Sequence, residues 1–588
     1  MCISLLLFLS LLLIFLHVTA ARACTCIVVG RKASATGRVL VGHNEDDPGR
    51  CVVARHLVAQ GTRPKAFETA FEPCSPSLDR SGPSLGYIWS QVRGCPGLSG
   101  ADCFFNERGV FIASDNCRPS REDNEPDLRG GGIGYGLRLL LAERATSARH
   151  GVQIASDLLS TYGYREPGRC YTIADANEAW MIQTIRGVHF CARRVDDEQV
   201  AFIPNHYTID MPTEGPDCLL SSGFVDMAHR KGWIPDSGPW TFASAAQNPS
   251  GRDKPGNTFR HRHGLRAITG TTWDGPLPFQ VKPAQPLAVP DVMAILRDHY
   301  EGSEDDHREG PIPSPHASAP RRICTTTTLE SIIVQFRDEP ELTTLWTAQG
   351  RPCTSPYVPW YGGIVGMPRD LWIENPDDAL KHHFHILPEN LAPEEHPWWR
   401  LQGMQTLLDG QYDHQAKRIQ GHITQTERLW LEQDERIVAK AKKILDQDRE
   451  KAMVYLTEQT ATRWSQSDDM VKNFDCELPC VTLKASPSVV PKEPRGEITL
   501  TGTGPLPQED TLRFGQEMQN TTTWGTAVEG SLRPLENDTW SVRFRFRELT
   551  ETWLVCRSRF WLYGKSQDDR PLVGSVILDV DKNTKERS

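Results

Sequence analysis

The first thirty residues constrain this chain more than any other stretch. An apolar run from Leu5 to Leu16 is followed by Ala21-Arg22-Ala23, a small-x-small pattern typical of signal-peptidase sites, and then by Cys24. The sequence therefore predicts a signal peptide over residues 1–23, after whose removal Cys24 is the first residue of the mature protein. Because no Lys or Arg precedes the apolar run, an uncleaved anchor is the alternative.

The residues after Cys24 predict a β-hairpin that carries a site at one end. Two mainly apolar, β-branched runs, Cys26–Val29 and Arg38–Val41, are separated by a turn around Ala35–Gly37. The second run leads into the polar residues 42–49, which we expect to close in a turn. These polar groups would lie opposite the start of the first strand, so a functional site is expected at that edge of the sheet.

Length and charge limit the class of protein. At 588 residues the chain exceeds what a single hydrophobic core usually holds, so two or more domains are expected. The net charge of -10, with Arg and Lys dispersed among acidic residues, argues against a nucleic-acid partner. Beyond the leader no apolar stretch is long enough to cross a bilayer, so no further membrane contact is expected.

The cysteine count is compatible with an oxidising compartment. Of the 16 cysteines, Cys2 leaves with the leader, and setting Cys24 aside as a free nucleophile leaves an even number. The rest could form up to seven disulfides, with a local bridge between Cys476 and Cys480. As a lone Cys pair, Cys476 and Cys480 are weak evidence for zinc.

The order of predicted elements indicates an α+β fold rather than regular β-α-β alternation. Helices predicted over Tyr135–Ala145 and Ala148–Tyr162 separate two groups of strands, and a pair of long helices is predicted over 398–464. Residues 481–494, rich in Pro, Ser and Val, are interpreted as a linker. Residues 495–588 show short alternating runs and predict a small, sandwich-like all-β domain.

Cys24 at a mature N-terminus would be a chemically competent nucleophile. An α-amino group has an ordinary pKa of about 7.7–8.0 and a thiol one of about 8.5, so the amine can act as the base for the thiol on the same residue. His43, Glu45 and Asp46 are candidates to shift the pKa of either group. The alternative is that Cys24 is a buried structural cysteine or half of a disulfide.

Several stretches in register resemble the dipeptidase A and secernin-like family of N-terminal-nucleophile (Ntn) cysteine peptidases, which is related to choloylglycine hydrolases and penicillin V acylases. The resemblance covers roughly Cys24 to Asn473. The matching stretches are Cys24–Ser34, Gly42–Asp46, Ile173–Trp180, Ile203–Ile209, Arg351–Ser355 and Tyr357–Pro359.

The resemblance implies a four-layer αββα sandwich over residues 24–480, including the long helices. It also implies roles for particular residues: Cys24 as nucleophile, Asp46 as the acid that holds its amine, and Asn205 with the backbone N–H of Asn116 as oxyanion donors. His43 stands where the related branch has an arginine beside the thiol. The branch's last catalytic arginine has no secure match.

No metal and no cofactor is expected. The clusters His382, His383, His385 and His261, His263 lack a carboxylate or Cys partner at metal-ligand spacing. Glu45 and Asp47 are candidates to anchor the ammonium group of a peptide substrate, as exposed loop acids.

The leading hypothesis is a secreted or lumenal cysteine dipeptidase, in an extracellular, lysosome-like or periplasmic compartment, that hydrolyses short peptides through a thioester on Cys24 without a metal. One rival is an amidase or acylase acting on a non-peptide amide. The other is a binding protein on a catalytically silent scaffold. The oligomeric state and the role of the β domain stay open.

Overall fold

The structure is a computed structural model, and part of the chain is described. The described residues are 24–46, 52–63, 82–93, 99–121, 127–134, 136–213, 215–252, 254–306, 314–316, 320–368, 397–409, 412–474, 480–491, 495–515, 524–549 and 558–580. The predicted signal peptide, Asp47, His382, His383, His385 and Cys476 lie outside these residues.

Three sheets and ten helices make up the described part of the chain. The strands are β1 Thr25–Val29, β2 Leu40–Asp46, β3 Val52–Val58, β4 Tyr87–Arg93, β5 Ser99–Asn106, β6 Phe111–Asn116, β7 Arg169–Ala174, β8 Ala179–Thr184, β9 Phe190–Arg194, β10 Val200–Ile203, β11 Cys218–Leu220, β12 Gln280–Val281, β13 Thr328–Gln335, β14 Thr344–Gln349, β15 Val358–Tyr361, β16 Cys480–Ser486, β17 Val489–Val490, β18 Glu497–Thr503, β19 Arg513–Gly515, β20 Gly525–Thr526, β21 Arg533–Pro534, β22 Thr539–Arg545, β23 Ser558–Lys565 and β24 Pro571–Val580. The α-helices are α1 Gly136–Arg144, α2 Ala148–Tyr162, α3 Phe224–Arg230, α4 Phe242–Ala246, α5 Pro249–Arg252, α6 Pro255–Thr269, α7 Val289–Leu296, α8 Pro397–Asp409, α9 Lys417–Leu445 and α10 Arg449–Asn473.

The predicted hairpin forms the middle of a seven-stranded sheet with the order β12-β10-β1-β2-β13-β14-β15. β1 pairs antiparallel with β2, so that Thr25 lies opposite Asn44 and Val29 opposite Leu40. On its other side β1 pairs with β10, with Cys26 opposite Ile203. Every residue of β1 is buried, because the strand is central in its sheet and that sheet is covered on both faces.

An eight-stranded sheet, in the order β11-β9-β8-β7-β6-β5-β4-β3, packs against the first sheet. The alternation along β6 shows the two faces: Phe111 and Ala113 join the core shared with the seven-stranded sheet, whereas Ile112 joins the core beneath α1 and α2. Helices α6 and α7 contact β10 and β2 on the outer face of the first sheet. The expectation of a mixed α and β architecture is confirmed.

The helices at 136–144 and 148–162 agree with the sequence prediction, and α2 has identifiable end signals. Ser147 accepts a hydrogen bond from the N–H of His150 at the start, and Gly163 takes a positive φ of 75° at the end. Over 397–473 the structure has three helices, α8, α9 and α10, where the sequence predicts two. The break before α10 is made by Asp448, whose side chain caps the N–H of Lys451.

The prediction of a linker over 481–494 is wrong, because β16 and β17 lie in this segment. β16 pairs antiparallel with β18 and parallel with β24, and Val481 and Leu483 are buried in the core of the third sheet. The Pro and Ser residues flank an alternating strand pattern that the composition of the whole segment conceals.

The third sheet has nine strands and supplies the predicted all-β region. Its main path runs β20-β19-β23-β24-β16-β18-β22-β21, and a bridge between Ala527, just after β20, and Phe544 of β22 joins its two sides. The described strands therefore form one sheet that curves around its own core, where the sequence predicts a sandwich. The hydroxyl of Tyr563 donates a hydrogen bond to the carbonyl of Thr406, which connects this region to α8.

The expectation of disulfides finds no support in the described part of the chain. Nine cysteines there are buried and are not joined in disulfides: Cys24, Cys26, Cys103, Cys117, Cys170, Cys191, Cys218, Cys324 and Cys353. The proposed Cys476–Cys480 bridge includes a residue outside the described ranges. Among the described helices none is long and apolar enough to span a membrane.

Two glycines in helix interiors give a paired test of this packing. A Cβ at Gly264 of α6 would lie 2.5 Å from the ring of Phe202 on β10, whereas a Cβ at Gly421 of α9 meets nothing within 4 Å. We expect Gly264→Ala to destabilise the protein by about 1–3 kcal/mol through overpacking, and Gly421→Ala to stabilise it by about 0.5–1 kcal/mol through helix propensity. Thermal unfolding of both variants checks this; a stabilising Gly264→Ala would contradict the packing of α6 on β10.

Candidate active site

Cys24 lies just before β1, with its thiol enclosed between the two sheets. Cys24 is 4% exposed, and its Sγ donates a hydrogen bond to Oε2 of Glu45 at 3.2 Å. The β1–β2 register places Cys26 opposite His43, so Cys24, Cys26, His43 and Glu45 project from the same face. That face points to the eight-stranded sheet, because Sγ of Cys26 lies 3.4 Å from Oγ1 of Thr172 on β7.

His43 and Glu45 are strand residues, not loop or turn residues as the sequence predicts. β2 continues through Asp46 because its outer neighbour β13 pairs with it as far as Thr328 opposite Asp46. Both side chains are buried, so Glu45 is not an exposed acid. Nε2 of His43 lies 3.5 Å from Oδ1 of Asp115, which β6 of the other sheet supplies. An acid-imidazole pair therefore stands beside the thiol.

The surroundings of Cys24 hold its sulfur in the thiol form. Burial raises the pKa of the Cys24 thiol well above its usual value, and the nearby Glu45 carboxylate raises it further. His43 acts in the opposite direction, through a hydrogen bond and its charge when protonated. The same face thus contains one group that disfavours the thiolate and one that favours it.

Arg260 of α6 connects the start of β1 to the segment after β10. Its Nη1 donates to the carbonyl oxygen of Cys24 at 2.8 Å and to Oγ1 of Thr25 at 2.9 Å. Its Nη2 donates to Oδ1 of Asn205 at 2.8 Å and to the carbonyl oxygen of Pro204 at 3.2 Å. Burial lowers the pKa of Arg260 to about 10, so the guanidinium stays charged at neutral pH.

Asn205 presents a buried hydrogen-bond donor on the segment that follows β10, the neighbour of β1. It is buried and has a positive φ of 63°, a conformation that Asn tolerates better than most residues. Since Oδ1 accepts from Arg260, the amide orientation is set and Nδ2 is the donor left over; it finds no acceptor among the described residues. A buried, oriented N–H without an acceptor is what an oxyanion site requires.

Asp46 lies on the opposite face of β2 from the thiol. Its carboxylate accepts hydrogen bonds from Oγ1 of Thr328 at 2.6 Å and from Nη2 of Arg321 at 3.2 Å. Burial raises the pKa of the Asp46 carboxyl above its usual value, and Arg321 and Thr328 oppose that rise. The role of Asp46 in holding the Cys24 amine stays a prediction.

Asn116 ends β6 and is half-buried. Its Oδ1 accepts a hydrogen bond from the N–H of Arg118 at 3.1 Å, while the preceding Asp115 points to His43. The backbone of Asn116 is thus near the site, and its role as an oxyanion donor stays a prediction.

Of the histidines considered for metal binding, the structure describes His261 and His263, and both have protein partners. Nδ1 of His261 lies 2.9 Å from Nε2 of His206, and Nε2 of His263 lies 2.9 Å from Oδ2 of Asp305. Cys24, His43 and Asp115 do place one donor atom each within 4.8 Å of one another, so this trio is chemically able to hold a cation.

Two residues of the site were missed by reasoning from the sequence. Arg260 stands directly before His261, in a stretch considered only for its histidines. Asp115 interrupts the inward-facing residues Phe111 and Ala113 of β6, and a charged residue on such an apolar face is a signal that the strand pattern offered. Arg322, another arginine of the region, stacks on the ring of Tyr300 at 4.7 Å.

Comparison with known proteins identifies the family. Residues 23–423 match the model of peptidase family C69, and the chain belongs to this family.

Three bacterial proteins illustrate the similarity. A probable dipeptidase of Latilactobacillus sakei is 26% identical over 356 residues, which cover 58% of this chain and 74% of that protein. A probable dipeptidase A of Streptococcus pyogenes serotype M18 is 24% identical over 433 residues, which cover 69% of this chain and 85% of that protein. A dipeptidase A of Lactobacillus helveticus is 24% identical over 382 residues, which cover 62% of this chain and 80% of that protein.

Among solved structures, penicillin V acylase from Agrobacterium tumefaciens is similar over 55% of this chain and 82% of that chain. The sequence identity is 12% and the TM-score 0.27.

The electrostatics of Cys24 can be tested with Glu45→Gln. The substitution keeps an acceptor for the thiol and removes the carboxylate charge, so the pKa of Cys24 should fall and more thiolate should form at a given pH. We expect faster alkylation of Cys24 by iodoacetamide between about pH 7 and 9, followed by mass spectrometry. Labelling of Cys218, on β11, is the internal control. Slower or unchanged labelling of Cys24 would contradict the assigned effect of Glu45.

Proposed function

We propose that this protein is a secreted or lumenal cysteine dipeptidase in which Cys24, freed at the N-terminus by cleavage after Ala23, attacks the peptide carbonyl. The observation that carries the proposal is the Arg260 guanidinium, which joins the Cys24 carbonyl to an Asn205 side chain whose Nδ2 has no acceptor among the described residues. Nucleophile and oxyanion donor are thereby held at the same end of the sheet. Family membership and the relatives' names support peptide substrates.

The first chemical step forms a thioester. The sulfur of Cys24 bonds to the carbonyl carbon, its proton passes to the free α-amino group, and the oxygen of the tetrahedral intermediate accepts hydrogen bonds from Nδ2 of Asn205 and the N–H of Asn116. The C–N bond of the intermediate then breaks, which leaves the acyl group on the sulfur, and the amine of the departing amino acid takes up the proton. In the second step water attacks the thioester, the C–S bond breaks, and the acyl group leaves as a carboxylic acid while the thiol is regenerated.

Cleavage after Ala23 would be the activating step. In the full-length chain the nitrogen of Cys24 belongs to a peptide bond and cannot act as a base. A free amine at this position supplies the base, and its positive charge, when protonated, favours the thiolate. His43, backed by Asp115, adds to that stabilisation of the thiolate.

The fold that accompanies this function is the four-layer αββα sandwich. Support comes from the two packed sheets, with α1 and α2 on one outer face and α6 and α7 on the other. Glu45 is proposed to meet the ammonium group of a dipeptide, since it presents a buried carboxylate beside the thiol. The apolar leader supports the secretory or lumenal location.

A second candidate is an amidase or acylase that acts on a non-peptide amide with the same nucleophile. The Cys24 and Asn205 geometry serves both reactions equally, so substrate assays separate them. A correctly cleaved protein that is inert on dipeptides and active on acyl amides would favour this candidate. A silent binding protein would show neither activity.

Two substitutions test the proposal on a panel of dipeptides. Cys24→Ala should lower kcat at least about 10³-fold, because the substitution removes the attacking sulfur. Asn205→Ala should lower kcat about 10²- to 10³-fold with a smaller change in KM, since its N–H is needed in the transition state.

Asn257→Ala is the matched control for Asn205→Ala. Asn257 also contacts Arg260, but its own Nδ2 donates to the carbonyl oxygen of Asn205 at 3.0 Å. We expect a clearly smaller loss of kcat for Asn257→Ala. Full activity of Cys24→Ala, or equal losses for the two asparagine variants, would contradict the assigned roles.

A further inference from the structure

Four buried side chains converge on one point on the far side of the seven-stranded sheet from the Cys24 thiol. They are His299, His316, Cys324 and Cys353, and one nitrogen or sulfur atom from each lies within 4.8 Å of all the others. Nε2 of His316 is 3.0 Å from Nε2 of His299, 3.1 Å from Sγ of Cys353 and 3.7 Å from Sγ of Cys324. These residues come from separate segments, after α7, before β13 and after β14.

The hydrogen bonds behind the two imidazoles fix their orientation. Nδ1 of His299 lies 2.7 Å from Oε1 of Glu301, and Nδ1 of His316 lies 2.7 Å from Oδ1 of Asp409. A carboxylate only accepts, so each Nδ1 carries the hydrogen, and in the neutral rings each Nε2 presents a lone pair. Two neutral rings would bring these lone pairs face to face at 3.0 Å, so either a proton on one Nε2 or a metal ion between the rings must relieve their repulsion.

We propose that these four residues bind a structural zinc ion. Two imidazole nitrogens and two thiolates form the Cys2His2 set typical of closed tetrahedral zinc sites. In such a site, with Zn–N and Zn–S bonds of about 2.0 and 2.3 Å, neighbouring donor atoms are about 3.3–3.8 Å apart. The observed separations of 3.0, 3.1 and 3.7 Å approach these values before any adjustment.

The charges around the four donors agree with this assignment. Binding of Zn²⁺ displaces the thiol protons of Cys324 and Cys353, and the two thiolates then neutralise the ion. The negative charge of Asp409 is balanced separately by Arg351, whose Nη2 lies 3.4 Å from the other carboxylate oxygen of Asp409. Carboxylates that receive Nδ1–H from metal-bound histidines are a regular feature of zinc sites.

An ion can reach this site from solvent. A cavity of about 740 Å³ is lined by His299, Cys353 and Tyr412, together with residues of α6 and α7. The ring of Tyr412 stands edge-on to both imidazoles, at 5.6 Å from His299 and 5.2 Å from His316. Tyr412 thus shields the donors while the cavity leaves a route to them.

The zinc site would support the catalytic strand rather than the reaction itself. The chain between His316 and Cys324 includes Arg321, which donates to Asp46, and Ile323, whose carbonyl accepts from Asn44 at 3.1 Å. Fixing both ends of this segment holds the outer face of β2 in place. The proposal revises the expectation from the sequence that no metal is bound, and it is independent of the proposed dipeptidase activity.

The test is metal analysis of the full mature protein, purified without chelators. Elemental mass spectrometry should find about one zinc ion per chain, and Co²⁺ substitution should give the thiolate charge-transfer and strong visible bands of tetrahedral cobalt. Cys324 and Cys353 should resist alkylation until a chelator such as 1,10-phenanthroline is added. Thermal unfolding should shift to lower temperature on chelation.

Variants separate this site from general effects on folding. Cys353→Ser should lose the zinc, whereas Cys191→Ser, in the buried thiol pair formed with Cys218, should retain it. If Cys353→Ser does not fold, alkylation of Cys324 and Cys353 in the wild-type protein, with and without chelator, decides whether these thiols bind zinc. A Cys324–Cys353 disulfide, both thiols reacting without chelator, or a metal other than zinc at this site would overturn the proposal.

Discussion

The buried guanidinium of Arg260 is the interaction on which the arrangement of the site depends. A charge without solvent exposure is costly unless hydrogen bonds replace its water, and Arg260 finds six acceptors. They lie on α6 itself, on the start of β1 and on the segment after β10. Because one rigid, planar group joins these three elements, Arg260 fixes the position of Cys24 relative to Asn205 together with the pairing of β1 and β10.

The two faces of the β1–β2 pair carry different kinds of side chain, with the thiol and its neighbours on one face and residues that hold the strands in place on the other. The face toward the eight-stranded sheet carries Cys24, His43 and Glu45, and Asp115 completes it from across the interface. The opposite face carries Asn44 and Asp46, whose partners belong to the chain around α7 and β13. The proposed zinc site lies behind this second set, so its effect on the thiol passes through the backbone of β2.

The sequence predicts local features well where the pattern is short and regular. The hairpin, α1 and α2 follow from β-branched runs and helical spacing. Arg260 and Asp115 escape prediction because their roles depend on packing between elements far apart in the chain. The convergence of His299, His316, Cys324 and Cys353 is similarly hidden, since no two of them have the spacing of a familiar zinc motif.

The sequence predictions that the structure contradicts failed for the same physical reason. His43 and Glu45 look like loop residues because polar groups at a strand end usually face solvent, and only the second sheet makes that position interior. The segment 481–494 looks like a linker because its Pro and Ser content masks the alternation of Val481 and Leu483, which the third sheet buries. In both cases tertiary contacts override a local preference.

The central claim is that Cys24 is an N-terminal nucleophile, and the covalent intermediate tests it most directly. The mature protein is mixed with a saturating dipeptide, quenched in acid during turnover, digested and analysed by mass spectrometry. We predict a peptide that begins at Cys24 and carries the mass of the acyl group on its sulfur. An active protein whose chain begins elsewhere, or an acyl group found only on another residue, would contradict the claim.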